Sequence, residues 1–480
     1  MEELFLNRRL REIAGKSTVS FHVPAHNGGK LFKRLGIIDY EDGILGIDTT
    51  ELPDTDNLHN PQDVIMEAQQ AASRIFGSEE SFFLVNGTTG GIHAAIMSCT
   101  SPGDKLIMDR NSHMSAYNAC MLGRIDAVYL KPSIDAQRGI PLPASEETIE
   151  EAIQENPDAK AVFLTSPTYY GDCIDIERIS KAAHRHGMAL IVDAAHGSHL
   201  GLSSRLPSPA IRLGADIAIC SLHKTLGSFT QSSMLHVNGE MADRERLRSL
   251  LRMLQSSSPS YLLMSSLEMA AFVYEKHGER LMEELQGHID DIAKEFECFE
   301  NIKLYEGNAG IFDRTKLFVL TTATGASGYE IEELLRERYN IQPEFSTPYG
   351  VLFVSSIGND GSDFDAVRSA LCEIDRLKRH GNHQEIPKYP TAMPKALASI
   401  SSAFYMKKRA VSLEESRGCI SGDYIIPYPP GIPLIAPGEL IRDDVIEYVT
   451  EALGMGMQVN GVGTDENKSV MVIDMPKRHL

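Results

Sequence analysis

From about Pro61 to residue 290 the chain repeats one pattern: a short apolar run, a turn, then a segment whose apolar residues recur at helical spacing. The runs SFFLV, DKLIMDR, AVYLKP, AVFLTSP, ALIVDAA and ADIAICS are strand-length, and helical segments such as IERISKAAHRHG separate several of them. Hairpin-connected strands need no such crossovers, whereas parallel neighbours require them. The alternation therefore predicts an α/β fold, with a mostly parallel sheet covered by helices on both faces.

The flanking segments read differently. Residues 1–60 hold a short helical pattern and then the Gly-, Pro- and Asp-rich stretches FHVPAHNGGK and DTTELPDTDNLHNP, an N-terminal arm packed on something else. Residues 61–290 form the α/β domain. Within 291–385, KLFVLTTA, YEIEELLRERYN, IQPEFS, VLFVSSI and FDAVRSALCEIDRLKR read as strand, helix, two strands and helix, a small α+β domain. A polar, proline-containing stretch leads into a C-terminal segment, 386–480, marked by DYIIPYPPGIPLIAPGE.

Charge and cysteine usage narrow the partners. Lys and Arg number 46 against 66 Asp and Glu, a net −20, which opposes nucleic acid or an anionic membrane as partner. The seven cysteines are scattered, odd in number and without a C-x-x-C pair, as expected of reduced thiols in a cytoplasmic protein. No run approaches the roughly eighteen apolar residues of a membrane span, and the N-terminus lacks a signal-peptide core. The expectation is a soluble, cytoplasmic protein with a small-molecule substrate.

In open α/β sheets, ligands bind beyond the carboxyl ends of the strands, so the residues just past each apolar run matter most. After SFFLV comes Asn86-Gly87-Thr88-Thr89-Gly90-Gly91, opening into a helix whose free N–H groups could hold a phosphate. The ordinary alternative is a tight turn; the spacing is neither that of a Walker A loop nor of a dinucleotide fingerprint. After ALIV comes Asp193, then His196 and His199. Asp193 could cap a helix, accept from a protonated ring nitrogen, or join the two histidines around a metal, although D-x-x-H-x-x-H on a loop is no recognised metal signature. After ADIAIC comes Ser221-Leu222-His223-Lys224. A lysine there could simply reach solvent. Taken together, though, a phosphate cradle, an acid and a lysine at three strand ends match pyridoxal phosphate, whose phosphate, ring nitrogen and aldehyde carbon need those partners. His113, in DRNSHMSAYNA, is a candidate to stack on the ring.

Six stretches in order, FHVPAH, DTTELPDTDNLH, NGTTGG, DAAHG, SLHKTLGSFTQSSML and PYPPGIPLIAPGE, resemble the ornithine/lysine/arginine decarboxylases of the aspartate-aminotransferase fold type I, in their short form. The resemblance spans about residues 20 to 440. It implies that Lys224 is the Schiff-base lysine, that Asp193 partners the pyridine nitrogen, and that Thr88, Thr89, Ser221 and His223 bind the phosphate. It places His113 on the ring face and His196 near the ring's 3-hydroxyl, and points Ser256 or Ser257 at a neighbouring subunit's phosphate. It also implies at least a homodimer. One departure is Ala25, where the family usually has glycine.

The expected reaction is decarboxylation of a basic amino acid, arginine ahead of lysine, with Lys224 or His223 returning the proton to Cα. The substrate's distal cation needs carboxylates, for which Glu51, Asp54, Asp56, Asp423 and Glu439 are available. Two alternatives stand beside this reading. One is an aminotransferase or aldolase of the same fold, with Arg314, Arg336 or Arg338 gripping a substrate carboxylate. The other is a metal-dependent hydrolase built on Asp193, His196 and His199.

Overall fold

The structure, a computed structural model, describes residues 19–474 apart from 23–24, 28, 37–47, 53, 136–137, 309, 378–386, 388, 391, 429–430 and 467. The helix expected near the N-terminus and the two adjacent prolines of PYPPGIP lie outside the described residues.

A seven-stranded sheet forms the centre, in the order Glu80–Leu84, Ser233–Val237, Ile217–Cys220, Ala189–Asp193, Ala161–Thr165, Lys105–Asp109 and Asp126–Leu130. Ser233–Val237 pairs antiparallel with both its neighbours, and every other pairing is parallel. Because successive strand side chains point to opposite faces, each run feeds two cores. Leu190 and Val192 join one apolar cluster, while Ala189 and Ile191 join the other. Helices Gly87–Cys99, Met114–Gly123 and Arg244–Leu254 cover the second face. Helices Val64–Phe76, Glu146–Glu155, Ile176–Arg185 and Tyr261–Phe296 cover the first. Such two-sided burial is why the strands read as continuous apolar runs rather than alternating ones.

The glycines of NGTTGG have separate jobs. Gly87 starts its helix at φ 71°, a left-handed conformation that side chains resist. Gly91 faces the sheet, and a Cβ there would lie 2.5 Å from Leu84 Cδ1 and 3.0 Å from Ile219 Cγ2. Its bare backbone lets the helix sit close to the two strands.

A second, four-stranded antiparallel sheet contains Lys303–Leu304, Lys316–Leu320, Gly350–Val354 and Phe345–Thr347, with helices Gly328–Arg338 and Gly361–Asp375 beside it. The 36-residue helix Tyr261–Phe296 runs unbroken through position 290, where the sequence pattern divides the chain. The arm returns as the strand Val19–Phe21, parallel to Ile341–Pro343. Just beyond it, the Ala25 N–H donates to the His223 carbonyl at 2.9 Å. Ala25 is buried and is not among the residues with positive φ, so alanine is accommodated where glycine was expected. No helix among the described residues is long and apolar enough to cross a membrane.

The C-terminal segment has its own apolar cluster, including Ile425, Ile435, Val445, Val449 and Val472. It is fastened to the central sheet by an ion pair. Arg110, directly after the strand Lys105–Asp109, donates to both Glu439 oxygens at 2.6 and 2.7 Å and to the carbonyls of Pro433 and Leu434. Both side chains are 2% exposed. Glu439 was a candidate for the substrate's cation; the structure instead commits it to Arg110. A buried pair broken on one side leaves an uncompensated charge. Glu439→Ala should therefore lower unfolding stability by about 3–5 kcal/mol, read as the shift in urea midpoint. An unchanged midpoint would mean that the pair fastens nothing.

Candidate active site

One edge of the central sheet carries an end of each of its strands. Leu84, Asp109, Leu130, Thr165, Asp193 and Cys220 finish there, while the reversed strand begins there at Ser233. Beyond them lies a cavity of about 410 Å³. Thr88, Thr89, His113, Asp193, His196, Ser221, His223 and Lys224, all singled out by sequence, line it together.

Lys224 sits in the short helical turn Leu222–Thr225, reached directly from the buried strand Ile217–Cys220. Its Nζ lies 2.9 Å from His196 Nε2 and 5.5 Å from the centre of the Tyr169 ring. Burial pushes the ammonium below its ordinary pKa, with Lys316 adding to the effect and Asp193 and Glu344 opposing it. His196 is held neutral by burial and by the charge of Lys224, and Tyr169 packs on its ring at 4.1 Å between centroids. Asp193 is almost wholly buried and accepts the Ala195 N–H at 3.0 Å. Burial pushes its carboxyl up, and the charges of His113 and Lys224 oppose that.

On the opposite side, Thr88 Oγ1 hydrogen-bonds Ser221 Oγ and lies 2.9 Å from Ser233 Oγ. The three hydroxyls gather where the helix Gly87–Cys99 begins; Asn86 gives its first turn no side-chain cap. Free N–H groups and the helix dipole make that end attractive to an anion. His113 caps the helix Met114–Gly123, its Nδ1 accepting the Ser115 N–H at 3.2 Å. His223 Nδ1 lies 3.0 Å from the Ser232 carbonyl, so it donates. Burial keeps that ring below its usual pKa.

Other candidates lie elsewhere. Glu51, Asp54 and Asp423 are exposed and outside the cavity lining. Asp56 accepts backbone N–H groups of Asn57, Gln62, Asp63 and Ile65, an anchor for the arm. Ser256 and Ser257 are exposed, and the Ser256 carbonyl meets His59 Nε2 at 2.8 Å. Arg314, Arg336 and Arg338 are exposed, and no arginine is among the described residues that line the cavity. His196 faces Lys224 while His199 faces Asp313. Among the described residues, no group of three His, Cys, Asp or Glu is placed to hold a metal ion.

Sequence reasoning missed Tyr169, Gln231 and Thr165, all lining the cavity. The strand-end rule applied to AVFLTSPTYY would have found two of them. It also missed Glu344, whose charge acts on both Lys224 and Tyr169 from the second sheet. Glu344 sits between the strand Ile341–Pro343, which pairs with the arm, and the strand Phe345–Thr347 of that second sheet, so the rule for the central sheet could not reach it.

The family model for the Orn/Lys/Arg decarboxylase major domain matches residues 6–321, and that for the family's C-terminal domain matches 383–467. An arginine decarboxylase of Bacillus subtilis is 34% identical over 460 residues, covering 94% of each chain. The constitutive lysine decarboxylase of Escherichia coli is 24% identical, covering 93% of this chain and 77% of its own. Among solved structures, the Francisella novicida lysine decarboxylase superposes with a TM-score of 0.77 at 21% identity, covering 94% of this chain and 78% of that one. A serine palmitoyltransferase from S. paucimobilis, solved with a bound PLP adduct, shares the fold at a TM-score of 0.51, with 14% identity over 65% of this chain and 76% of that one. The chain belongs to the ornithine/lysine/arginine decarboxylase family.

Proposed function

We propose that the chain decarboxylates a basic amino acid, arginine first and lysine second, with pyridoxal phosphate held in the cavity beside Lys224. The observation that carries this reading is the amine itself. Lys224 is half-buried at the meeting point of an uncapped helix start and a buried carboxylate, and its Nζ contacts an imidazole instead of an acid. The cavity also leaves polar groups for a ligand to satisfy. Asn111 Oδ1, Thr165 Oγ1 and His196 Nδ1 are buried without hydrogen-bond partners among the described residues, and all three residues line it.

Pyridoxal phosphate, when bound, supplies a conjugated electron sink for the pair left behind by departing CO₂. The chain supplies the rest. The N–H groups opening the helix Gly87–Cys99, with the hydroxyls of Thr88, Thr89, Ser221 and Ser233, would hold the phosphate, and His223 flanks that side. Asp193 would keep a proton on the ring nitrogen, and His113 would lie against the ring face. The apolar surround of Tyr169 and Ile432 keeps water from the carboxylate that must leave. For the proton returned at Cα we assign Lys224 over His223. The His223 Nδ1–H is taken by the Ser232 carbonyl, which leaves a neutral ring with an unprotonated Nε2.

For the substrate's distal cation we assign Glu344 in place of Glu51, Asp54, Asp423 or Glu439; it too is outside the cavity lining, but its charge reaches the site. It is half-buried, its charge is felt at Lys224 and Tyr169, and the neighbouring Phe345 packs on Tyr169 at 5.6 Å between centroids. The relatives named arginine decarboxylase, which match along nearly the whole chain, favour arginine. The exposed Ser256 and Ser257 fit a role toward a second copy's phosphate, in a homodimer of cytoplasmic protein. With no arginine among the described residues that line the cavity, an aminotransferase is the weaker reading.

Lys224→Ala should abolish CO₂ release from arginine, lysine and ornithine and remove the visible absorbance of purified protein. Steady turnover by that variant would overturn the assignment. Glu344→Gln should raise KM for the preferred amino acid about tenfold or more, the loss expected for a hydrogen bond to a charged group, while sparing the visible absorbance. An unchanged KM with identified product amine would move the cation site elsewhere.

A further inference from the structure

Behind the turn that carries His196 lies a second amine, this one fully buried, that the proposed reaction leaves unused. Lys316 opens a strand of the antiparallel sheet, and Asp313 precedes it by three residues; both are 0% exposed and their Nζ and Oδ2 are 2.8 Å apart. Lys316 Nζ also donates to Thr315 Oγ1 at 3.1 Å and to the His196 carbonyl at 3.4 Å. Asp313 Oδ1 and Thr315 Oγ1 each lie 3.2 Å from His199 Nε2, and Thr315 donates to Asp313 Oδ1 from both its N–H and its hydroxyl. Although burial opposes it, Lys316 and His199 hold the Asp313 carboxyl well below the usual carboxylate range.

The turn from Asp193 to His199 is thus gripped at two points from behind, at the carbonyl of His196 and the ring of His199. Its front presents His196 Nε2 to Lys224 Nζ. We propose that Asp313, Thr315 and Lys316 clamp this turn, and that Lys316 is a positioning residue for Lys224, setting the place of the amine through His196 and its charge through space. The groups that face Lys224 come from several elements. Asp193 ends its strand, His196 follows it, His113 caps a neighbouring helix, His223 adjoins it, Tyr169 lies 5.5 Å from the amine, and the charge of Glu344 acts from outside the cavity lining. Asp193 and Glu344 favour the ammonium form, and Lys316 disfavours it.

The inference rests on Lys224 as the working amine, and its test reads that amine directly. The full-length chain is treated with hydroxylamine to free its lysines of carbonyl compounds. Trace acetylation with acetic anhydride over a pH series, read by mass spectrometry of the Lys224 peptide, gives the half-labelling pH. Lys316→Met leaves the Asp313 charge uncompensated, so Lys224 keeps its proton to higher pH; Asp313→Asn leaves the Lys316 charge uncompensated and acts the other way. The expected result is a half-labelling pH higher in Lys316→Met than in Asp313→Asn, with a severalfold difference in labelling at one intermediate pH. Equal values, or the reverse order, overturn the proposal. A merely structural role would expose Lys224 and move both variants together. Should Lys316→Met not fold, Lys316→Gln is judged by the same criterion. No substrate enters the measurement. A chain that decarboxylates nothing yet shows this order would sink the proposed function and keep the clamp.

Discussion

A half-buried amine paired with an imidazole organises this molecule. Lysine ammonium is strongly hydrated, and a fold that places one in its interior usually offers a carboxylate at contact distance. Lys224 has instead a neutral His196, with Asp193 acting on it as a charge rather than as a contact. That arrangement leaves the amine reactive instead of locked in an ion pair. Lys316, which is fully buried, shows the contrast. It has Asp313 at 2.8 Å and behaves as architecture.

The parallel sheet brings the reactive groups together with little help from sequence proximity. Residues 88, 113, 193 and 224 meet because each follows or approaches a strand end on the same edge. This is why so much of the site was legible. Strand ends can be read from apolar runs, and the polar residues after them are then few. The same rule explains the failures. Glu344 adjoins the second sheet through its N–H to the Leu352 carbonyl, and the placement of that sheet depends on tertiary packing that no local pattern encodes. Glu439 looked like a free acid in a proline-rich loop, because its partner Arg110 is more than three hundred residues away and the pairing leaves no spacing signal. The long helix through residue 290 was hidden for another reason. Its apolar stripe is continuous, so periodicity gave no cue for where one sheet's contacts stop and the next begin.

Arg110 and Glu439 place the C-terminal segment in the same frame as the site. Arg110 stands three residues before His113, and its guanidinium holds the carbonyls of Pro433 and Leu434. The adjoining Gly431 and Ile432 line the cavity. One wall is therefore supplied by the far end of the chain, and a single buried guanidinium sets its distance from the opposite wall.

The reversed strand Ser233–Val237 has a consequence for how the protein opens. Its direction puts its first residues at the edge where its parallel neighbours end. The excursion from Ser221 to Ser233 therefore leaves and re-enters the sheet at one place, carrying the amine, His223, Gln231 and the serine hydroxyls within it. Such an excursion exchanges its amides as a unit, and a ligand gripped by both of its ends raises the opening free energy of the whole segment. Ligand occupancy and local rigidity are then one quantity seen from two sides, and amide protection across these thirteen residues becomes a gauge of how full the cavity is.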